Sequence, residues 1–184
     1  YMISYGISHK GLVRHENQDA YINIDTPIGS LDNIYIIADG MGGHKGGAIA
    51  SKLAIDSIID FLQNTQGSAK YLIEEGIKKA NEVIYKAAVE DGSLFGMGTT
   101  MDVVTIKEDH IYVGHVGDSR VYYMNENQEL EQMSKDHSYV QELIDSGAIT
   151  EEEAYNHPNK NRITRAVGVD TDVDIDILTL KVDK

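Results

Sequence analysis

The segment NIYIIADGMGGHKGG, residues 33–47, contains the change of pattern on which the fold depends. Its first six residues form an apolar run, which predicts a strand covered on both faces. A glycine-rich turn follows, and helical spacing of apolar residues begins at Gly46. Asp39 lies at the junction, where its carboxylate has three candidate roles: to hold a phosphate, to hold a metal ion, or to cap its own turn.

Nucleotide loops are tested first, because glycine-rich turns after strands often cradle phosphate. The Walker A pattern G-x-x-x-x-G-K-[ST] fails, since Lys45 is followed by Gly46. The dinucleotide pattern G-x-G-x-x-G can begin at Gly40, but Lys45 occupies the position of its third glycine. The sequence therefore disfavours a nucleotide-binding protein.

The sequence around this segment falls into strand-like and helix-like blocks. Alternation predicts strands in MISYGIS and DAYINID before it, and in TTMDVVTI, HIYVGHVG and RVYYM after it. Between these blocks, apolar residues at i, i+3, i+4 and i+7 predict two core-facing helices. Their predicted buried residues are Ala50, Leu53, Ala54, Ser57, Ile58, Phe61 and Leu62, then Leu72, Ile73, Ile77, Ala80, Ile84, Ala87 and Ala88.

The C-terminal part continues the mixed pattern. Residues 125–129 predict a turn, and two short helices are expected to end at Gly147 and Pro158. The tail DVDIDILTLKV alternates but changes face between Ile177 and Leu178, which predicts a β-bulge, and its aspartates predict a solvated strand face. Hairpin-linked strands with one contiguous helical pair indicate an α+β fold whose sheet faces are covered by helices.

Composition limits the classes of function. The 184 residues predict one domain. The net charge of -14, from 30 acidic and 16 basic residues, opposes binding to nucleic acid or to an anionic membrane. The absence of cysteine excludes disulfides, thiolate zinc sites and cysteine nucleophiles. No apolar run approaches the roughly 20 residues that span a bilayer, and no secretory signal is visible, so we expect a cytoplasmic protein.

Three aspartates occupy similar positions at the ends of predicted strands. Asp39 and Asp118 each follow a strand, and Asp19 leads directly into one. Singly, each is more commonly a turn cap; together they can converge at one sheet edge, where carboxylates suit Mg²⁺ or Mn²⁺. Gly40 lacks a Cβ, so its peptide can approach an ion and offer a carbonyl oxygen. Arg14 can present a bidentate fork to a phosphoryl group, although an isolated arginine is more often a surface residue.

Six motifs occur in a fixed order along the chain: GLVRHENQDA, ADGMGGHKGG, GMGTTMDVV, VGHVGDSRVYY, SKDHS and HPNKNRITRAVG. Together they resemble bacterial metal-dependent serine/threonine phosphatases of type 2C, over about Gly11 to Gly168. The resemblance implies a four-layer α-β-β-α sandwich with predominantly antiparallel sheets and a dinuclear metal centre at one end. It also implies an outer helical layer near residues 46–90 and a mobile flap over residues 135–165.

Carried over by position, the resemblance gives each candidate residue a role. Asp39 resembles the carboxylate that bridges two metals, Gly40 the carbonyl ligand of the second metal, and Asp19 an acid held to that metal through water. Asp118 resembles a ligand of a third, labile ion, and Arg14 the ligand of the substrate phosphate. The implied cofactors are two or three Mn²⁺ or Mg²⁺ ions. The implied partners are phosphoprotein substrates, among them a cognate bacterial serine/threonine kinase, and we expect a monomer.

The implied reaction is hydrolysis of phosphoserine or phosphothreonine without a phosphoenzyme. The sequence has no G-x-S-x-G elbow and no thiol, whereas two bridged cations lower the pKa of a shared water towards about 7. Met41 stands where eukaryotic members have a histidine suggested as general acid. Leaving-group protonation then falls to metal-bound water or, less favoured, to His44, which we interpret as a surface loop residue. Gln18 replaces the glutamate of many members, a change that bacterial relatives accept.

The remaining metal aspartates of this family, in a second Asp-Gly motif and a final Asp-Asn motif, have no counterpart before Lys184. We therefore expect residues 1–184 to be a single type-2C phosphatase domain truncated at its C-terminus, without the strands that close the sandwich. This departure leaves a second hypothesis open, a non-catalytic regulatory module or an inactive fragment that keeps the fold without the full metal set.

Other polar residues lack a specific pattern. Lys160, Arg162 and Arg165 form a small basic cluster that either meets the flanks of a phosphopeptide or solvates a loop. Six histidines lack metal-ligand spacing and are expected mostly at surface or strand positions, with His137 helping to set the flap. They are His9, His15, His110, His115, His137 and His157.

Overall fold

The computed structural model describes residues 2–43 and 45–182. The elements in chain order are β1 (Asp19–Ile24), β2 (Ile34–Met41), α1 (Gly46–Asn64), α2 (Ala69–Glu90), β3 (Gly98–Thr99), β4 (Met101–Lys107), β5 (His110–Val116), β6 (Tyr122–Met124), β7 (Leu130–Gln132), α3 (Tyr139–Asp145), α4 (Glu151–Tyr155) and β8 (Asp176–Lys181). The main sheet has the order β1-β2-β4-β5-β8, with β3 paired to the end of β2, and β6 and β7 form a separate hairpin.

All strand pairs within the described residues are antiparallel, in agreement with the predicted fold class. The predicted helices and the turn over residues 125–129 are also confirmed. The helix α3 is followed by Gly147 in the left-handed region, with φ of 76°, a conformation that glycine adopts without strain. Thr150 and Glu153 form a capping box at the start of α4. No helix in the described part of the chain is long and apolar enough to cross a membrane.

The helices α1 and α2 cover one face of the main sheet, and the predicted stripes confirm which of their sides is buried. Ile58 and Ile77 are fully buried, and burial of each such side chain contributes roughly 1.5–3 kcal/mol. The approach of α2 to the sheet is close at Gly114 in β5, where an added Cβ would lie 2.3 Å from a methyl carbon of Ile73. The hydrophobic core therefore lies between this helical pair and the sheet.

The other face of the sheet is open at β2 among the described residues, whereas Asp102 and His115 on that face of β4 and β5 are buried. Burial alternates along β2, and Ile37 on the open face is 43% exposed. The prediction that this strand is covered on both faces is therefore wrong for the part of the chain that the structure describes. The apolar run specifies two apolar faces, but α1 and α2 lie on one of them only.

The N-terminal strand predicted over residues 2–8 is also absent from the structure. Ile3 and Ile7 are 92% and 78% exposed. The segment is attached through side chains: the Tyr21 hydroxyl donates to the carbonyl of Gly6 over 3.1 Å, and the Ser4 amide lies 3.4 Å from an oxygen of Asp25. Alternation specifies a strand only where a neighbouring backbone completes the ladder, and no described strand does so here.

The tail differs from its prediction in two ways. Pairing of β8 with β5 is continuous from His115–Asp176 to His110–Lys181, so the predicted bulge is wrong. Ile177 packs against the helix-side core, and the ladder places Leu178 on the opposite face, which gives both faces apolar residues without a bulge. Asp176 is not part of a solvated face either, because it bonds to two side chains described below.

Candidate metal and phosphate site

Two of the predicted acids face each other at the edge of the sheet. Antiparallel pairing of β1 with β2 sets Asp19 opposite Asp39, and their carboxyl groups are close enough to interact directly. Desolvation by the surrounding chain, followed by the charge and hydrogen bond of Asp19, raises the pKa of Asp39 to about 6. Two carboxylates this close repel each other when both are ionised. A shared proton or a bound cation removes that repulsion.

Glycines hold this pair in register. A Cβ on Gly40 would lie 1.9 Å from the carbonyl oxygen of Gly47 at the start of α1, so only glycine lets the helix approach β2. The Gly40 amide donates to the Gln18 carbonyl over 3.0 Å, and the buried Ser51 hydroxyl donates to the same oxygen over 2.7 Å. Gly40 therefore has a packing role, and its proposed carbonyl contact with a metal stays a prediction.

Thr100, which the sequence did not single out, connects two of the predicted acids. Its hydroxyl accepts from the Asp39 amide over 3.0 Å and lies 2.7 Å from the Ser119 hydroxyl, while its amide donates to the Asp39 carbonyl over 2.9 Å. The residue is 2% exposed. One buried threonine thus holds β2 against the loop that contains Asp118.

Asp118 lies after β5, within electrostatic range of Asp39, whose pKa it helps to raise. Burial and the charge of Asp136 raise the pKa of Asp118 itself. Asp118 and Asp136 line a depression of about 420 Å³, whereas Asp19 and Asp39 line another of about 400 Å³. The structure therefore brings the three predicted acids to one region but not into a single cluster.

Arg14 is exposed on the loop before β1 and lies near enough for its charge to oppose the raised pKa of Asp39. It lines a third cavity of about 970 Å³ together with Lys45 and Phe95. Phe95 is 87% exposed. This cavity also has Glu16 and Asp91 in its walls, so Arg14 and Lys45 are the groups in it that suit a phosphorylated ligand.

Two further predictions concern His44 and the basic cluster of Lys160, Arg162 and Arg165. His44 lies outside the described residues, so its interpretation as a loop surface residue stays a prediction. The basic cluster is occupied with internal contacts: Arg165 bonds to Asp176 at 3.0 Å, and Arg162 and Lys160 lie over the Tyr139 and Tyr155 rings.

Sequence reasoning missed a buried histidine–aspartate pair beneath the site. His115 is fully buried, with Nδ1 2.6 Å from an oxygen of Asp102 and Nε2 2.7 Å from the Lys135 carbonyl. Burial opposes its charge, but the hydrogen bond and charge of Asp102 prevail and raise the pKa of His115. Both ring nitrogens face acceptors, which two N–H groups on the ring would satisfy, and burial raises the pKa of Asp102 as well. The available signals were Asp102, a charged residue inside the apolar segment TTMDVVTI, and His115 inside HIYVGHVG.

The donor set fits a hard divalent cation. Asp19, Asp39 and Asp118 offer carboxylate oxygens, the ligands that Mg²⁺ and Mn²⁺ prefer, and the mutual repulsion of the facing pair favours a bound cation. Within residues 2–43 and 45–182 no three acidic or histidine side chains form a complete metal cage. Cations here would therefore need ligands in addition to these three carboxylates.

Comparison with known proteins agrees with this chemistry. Residues 9–172 match the family model described as "Protein phosphatase 2C". The chain is 35% identical to the Listeria innocua "Serine/threonine phosphatase stp", over 91% of this chain and 67% of the relative. It is 34% identical to the Streptococcus pneumoniae "Protein phosphatase PhpP", over 92% of this chain and 69% of that protein.

Solved structures show the same fold. The Mycobacterium tuberculosis serine/threonine phosphatase PstP/Ppp aligns with a TM-score of 0.84 and 31% identity, covering 96% of this chain and 72% of the other. Stp1 from Staphylococcus aureus aligns with a TM-score of 0.86 and 32% identity, covering 96% and 70%. A PstP catalytic domain solved in complex with two manganese ions aligns with a TM-score of 0.81 and 30% identity, covering 96% and 71%.

Proposed function

The chain belongs to the protein phosphatase 2C family, and we propose that Asp19, Asp39 and Asp118 hold the divalent cations with which it hydrolyses phosphoserine and phosphothreonine in proteins. The observation that carries this proposal is the facing pair of Asp19 and Asp39, with the pKa of Asp39 raised to about 6. A pair of like charges on a rigid sheet costs stability, and a bound cation would offset that cost.

Each residue has a defined part in the proposed reaction. Asp19 and Asp39 would hold a cation between their carboxylates at the sheet edge. Asp118 would add a third carboxylate from the loop after β5. Arg14 presents its guanidinium to the phosphoryl oxygens and orients the ester. Bound divalent cations would supply a water molecule of lowered pKa for attack on phosphorus. No cysteine is available as a nucleophile, which agrees with hydrolysis without a phosphoenzyme.

The identity of the cations is part of the proposal. Two or three Mn²⁺ or Mg²⁺ ions suit a set of oxygen ligands, and the neighbour with two manganese ions supports manganese. We also propose, from the resemblance to bacterial members, that the phosphoprotein substrates include a cognate kinase and that the protein is a cytoplasmic monomer.

The test measures hydrolysis and metal binding separately. The chain should hydrolyse p-nitrophenyl phosphate and a phosphothreonine peptide with Mn²⁺, and lose both activities in EDTA. Hydrolysis that persists in EDTA would overturn the proposal. The absence of Mn²⁺ binding, followed by calorimetry on the chain without substrate, would also overturn it.

A non-catalytic regulatory module is the second candidate function. It is favoured by one observation, that the described residues contain no complete cage of three acidic or histidine ligands. Binding of Mn²⁺ without hydrolysis of either substrate, measured on a protein that includes any residues following Lys184, would support this alternative over the phosphatase.

A further inference from the structure

A second buried histidine lies directly behind the loop of Asp118. His137 is 6% exposed and holds Gly117 by two hydrogen bonds. Its ring Nδ1 accepts from the Gly117 amide over 3.0 Å, and its own amide donates to the Gly117 carbonyl over 2.8 Å. Because Gly117 precedes Asp118, the histidine fixes the peptide from which that aspartate projects.

The ring of His137 is itself fixed from the opposite side. Nε2 donates to Asp176 over 2.8 Å, and Arg165 donates to the other oxygen of Asp176 over 3.0 Å. Since Nδ1 faces an N–H donor, the ring is neutral and carries its proton on Nε2. Burial, together with the nearby charge of Arg165, lowers the pKa of His137 and maintains this state.

Gly117 leaves little room for adjustment between its two neighbours. Its φ of 113° is a conformation that favours glycine, and an added Cβ would lie 2.6 Å from the methyl carbon of Thr100. Thr100 contacts the loop from the side of Asp39, and His137 contacts it from the other side. Loss of the contact with the His137 ring would therefore shift the peptide from which Asp118 projects.

We propose that His137 is a positioning residue for Asp118: it accepts the Gly117 amide proton and is itself oriented by Asp176 and Arg165. This inference rests on the proposed role of Asp118 as a cation ligand. It gives the pair of Arg165 and Asp176 a function in orienting a ligand loop rather than in contacting a phosphopeptide. Partners that orient a metal ligand typically change metal affinity by about 10–100-fold when they are removed.

Two substitutions separate the two ring nitrogens. His137→Asn places an amide oxygen near the position of Nδ1 and retains the acceptor for Gly117, whereas His137→Gln retains a donor towards Asp176 and loses that acceptor. The proposal predicts that His137→Gln weakens Mn²⁺ binding about 10-fold or more, while His137→Asn stays within about 3-fold of the wild type. If His137 only filled space, the order would reverse, because glutamine is closer to histidine in volume.

Calorimetric titration of the full chain with Mn²⁺ provides the first readout, and hydrogen exchange of the Gly117 amide by NMR the second. His110→Gln is the matched control, since His110 also bonds to an aspartate but at the far end of β5. Faster exchange at Gly117 in His137→Gln alone supports the proposal. Equal exchange in His137→Gln and the wild type would overturn it.

A double-mutant cycle distinguishes this inference from the proposed function. If His137 acts through Asp118, His137→Gln should add nothing to the loss of Mn²⁺ affinity caused by Asp118→Asn. Additive losses would overturn the positioning role while the proposed function survives. Unchanged Mn²⁺ binding in Asp118→Asn would instead remove Asp118 from the metal site, and the inference would fall with it.

Discussion

The helix-covered face of the sheet and the edge with the aspartates contribute in opposite directions to stability. Under α1 and α2, Ile58 and Ile77 are fully buried and each contributes roughly 1.5–3 kcal/mol. At the edge, Asp19 and Asp39 face each other and the pKa of Asp39 is raised to about 6, so their ionised forms oppose folding in the absence of a cation. The helical layer therefore supplies the rigidity that holds like charges together, a usual relation between scaffold and site.

The largest effect is expected at the edge. Asp39→Asn should reduce hydrolysis of p-nitrophenyl phosphate at saturating substrate by at least about 10⁴-fold, a loss typical of residues that act as a unit in catalysis. Circular dichroism should show an intact fold. Asp56→Asn, an exposed change on α1, is the control. Wild-type turnover in Asp39→Asn would contradict the assignment of this residue to the site.

The next effect belongs to the helical layer. Ile77→Ala should lower the free energy of unfolding by about 2–5 kcal/mol, because it leaves a cavity between α2 and β5. Ile37→Ala on the open face is the matched control and should cost less than about 1 kcal/mol. Both are measured by urea denaturation. Equal losses would show that the open face is covered as well as the helical one.

Thr100→Val tests the link between the two regions. Valine keeps the shape but removes the hydroxyl that bonds to the Asp39 amide and to Ser119. We expect a loss of about 1–3 kcal/mol in unfolding free energy and weaker Mn²⁺ binding by calorimetry. Thr179→Val, at an exposed position of β8, should change neither quantity. A stability loss without any change in Mn²⁺ affinity would limit Thr100 to a structural role.

Arg14→Ala should act on substrate binding alone. Loss of a charged hydrogen-bond donor is expected to raise KM for a phosphothreonine peptide roughly 10-fold, with little change in kcat. Arg14→Lys should fall between the two, because it keeps the charge and loses the fork. Steady-state kinetics with Mn²⁺ provide the measurement. A fall in kcat without a change in KM would move Arg14 from binding to the chemical step.

The smallest effect is the pH dependence of the metal-free protein. The raised pKa of Asp39 means that its ionised form destabilises the fold above about pH 6, and that this penalty disappears as pH falls below the ordinary aspartate pKa. Asp39→Asn should therefore be more stable than the wild type by roughly 1 kcal/mol at pH 7.5, after discounting for solvent access. The difference in unfolding free energy, measured in EDTA, should approach zero near pH 4.

Sequence patterns predicted an element correctly where the pattern itself indicates which side of the element is buried. Both helical stripes were correct because the periodicity of a helix already states which side is buried. The facing of Asp19 and Asp39 was anticipated only as convergence at a sheet edge. Their direct opposition required the register of β1 on β2, which depends on two segments at once.

The failures share one cause, since each concerned a contact between distant segments. Residues 2–8 alternate like a strand but have no described partner strand. Asp176 was interpreted as solvated because its partners, His137 and Arg165, lie 39 and 11 residues away along the chain. Thr100 was not distinguished from other polar residues, and His137 was predicted only to help set the flap, because a hydroxyl or an imidazole shows its partners only in the folded structure.

The sequence by itself determined the helical layer, the antiparallel strands and the family, because these follow from local periodicity and from motifs that are read in order. Tertiary structure alone decided which acids face each other, which part of the sheet stays open, and how Thr100 and His137 contact the backbone next to Asp39 and Asp118. The physical reason is that pKa values and hydrogen-bond geometry depend on distances of a few ångströms, and folding sets those distances between residues far apart in the chain.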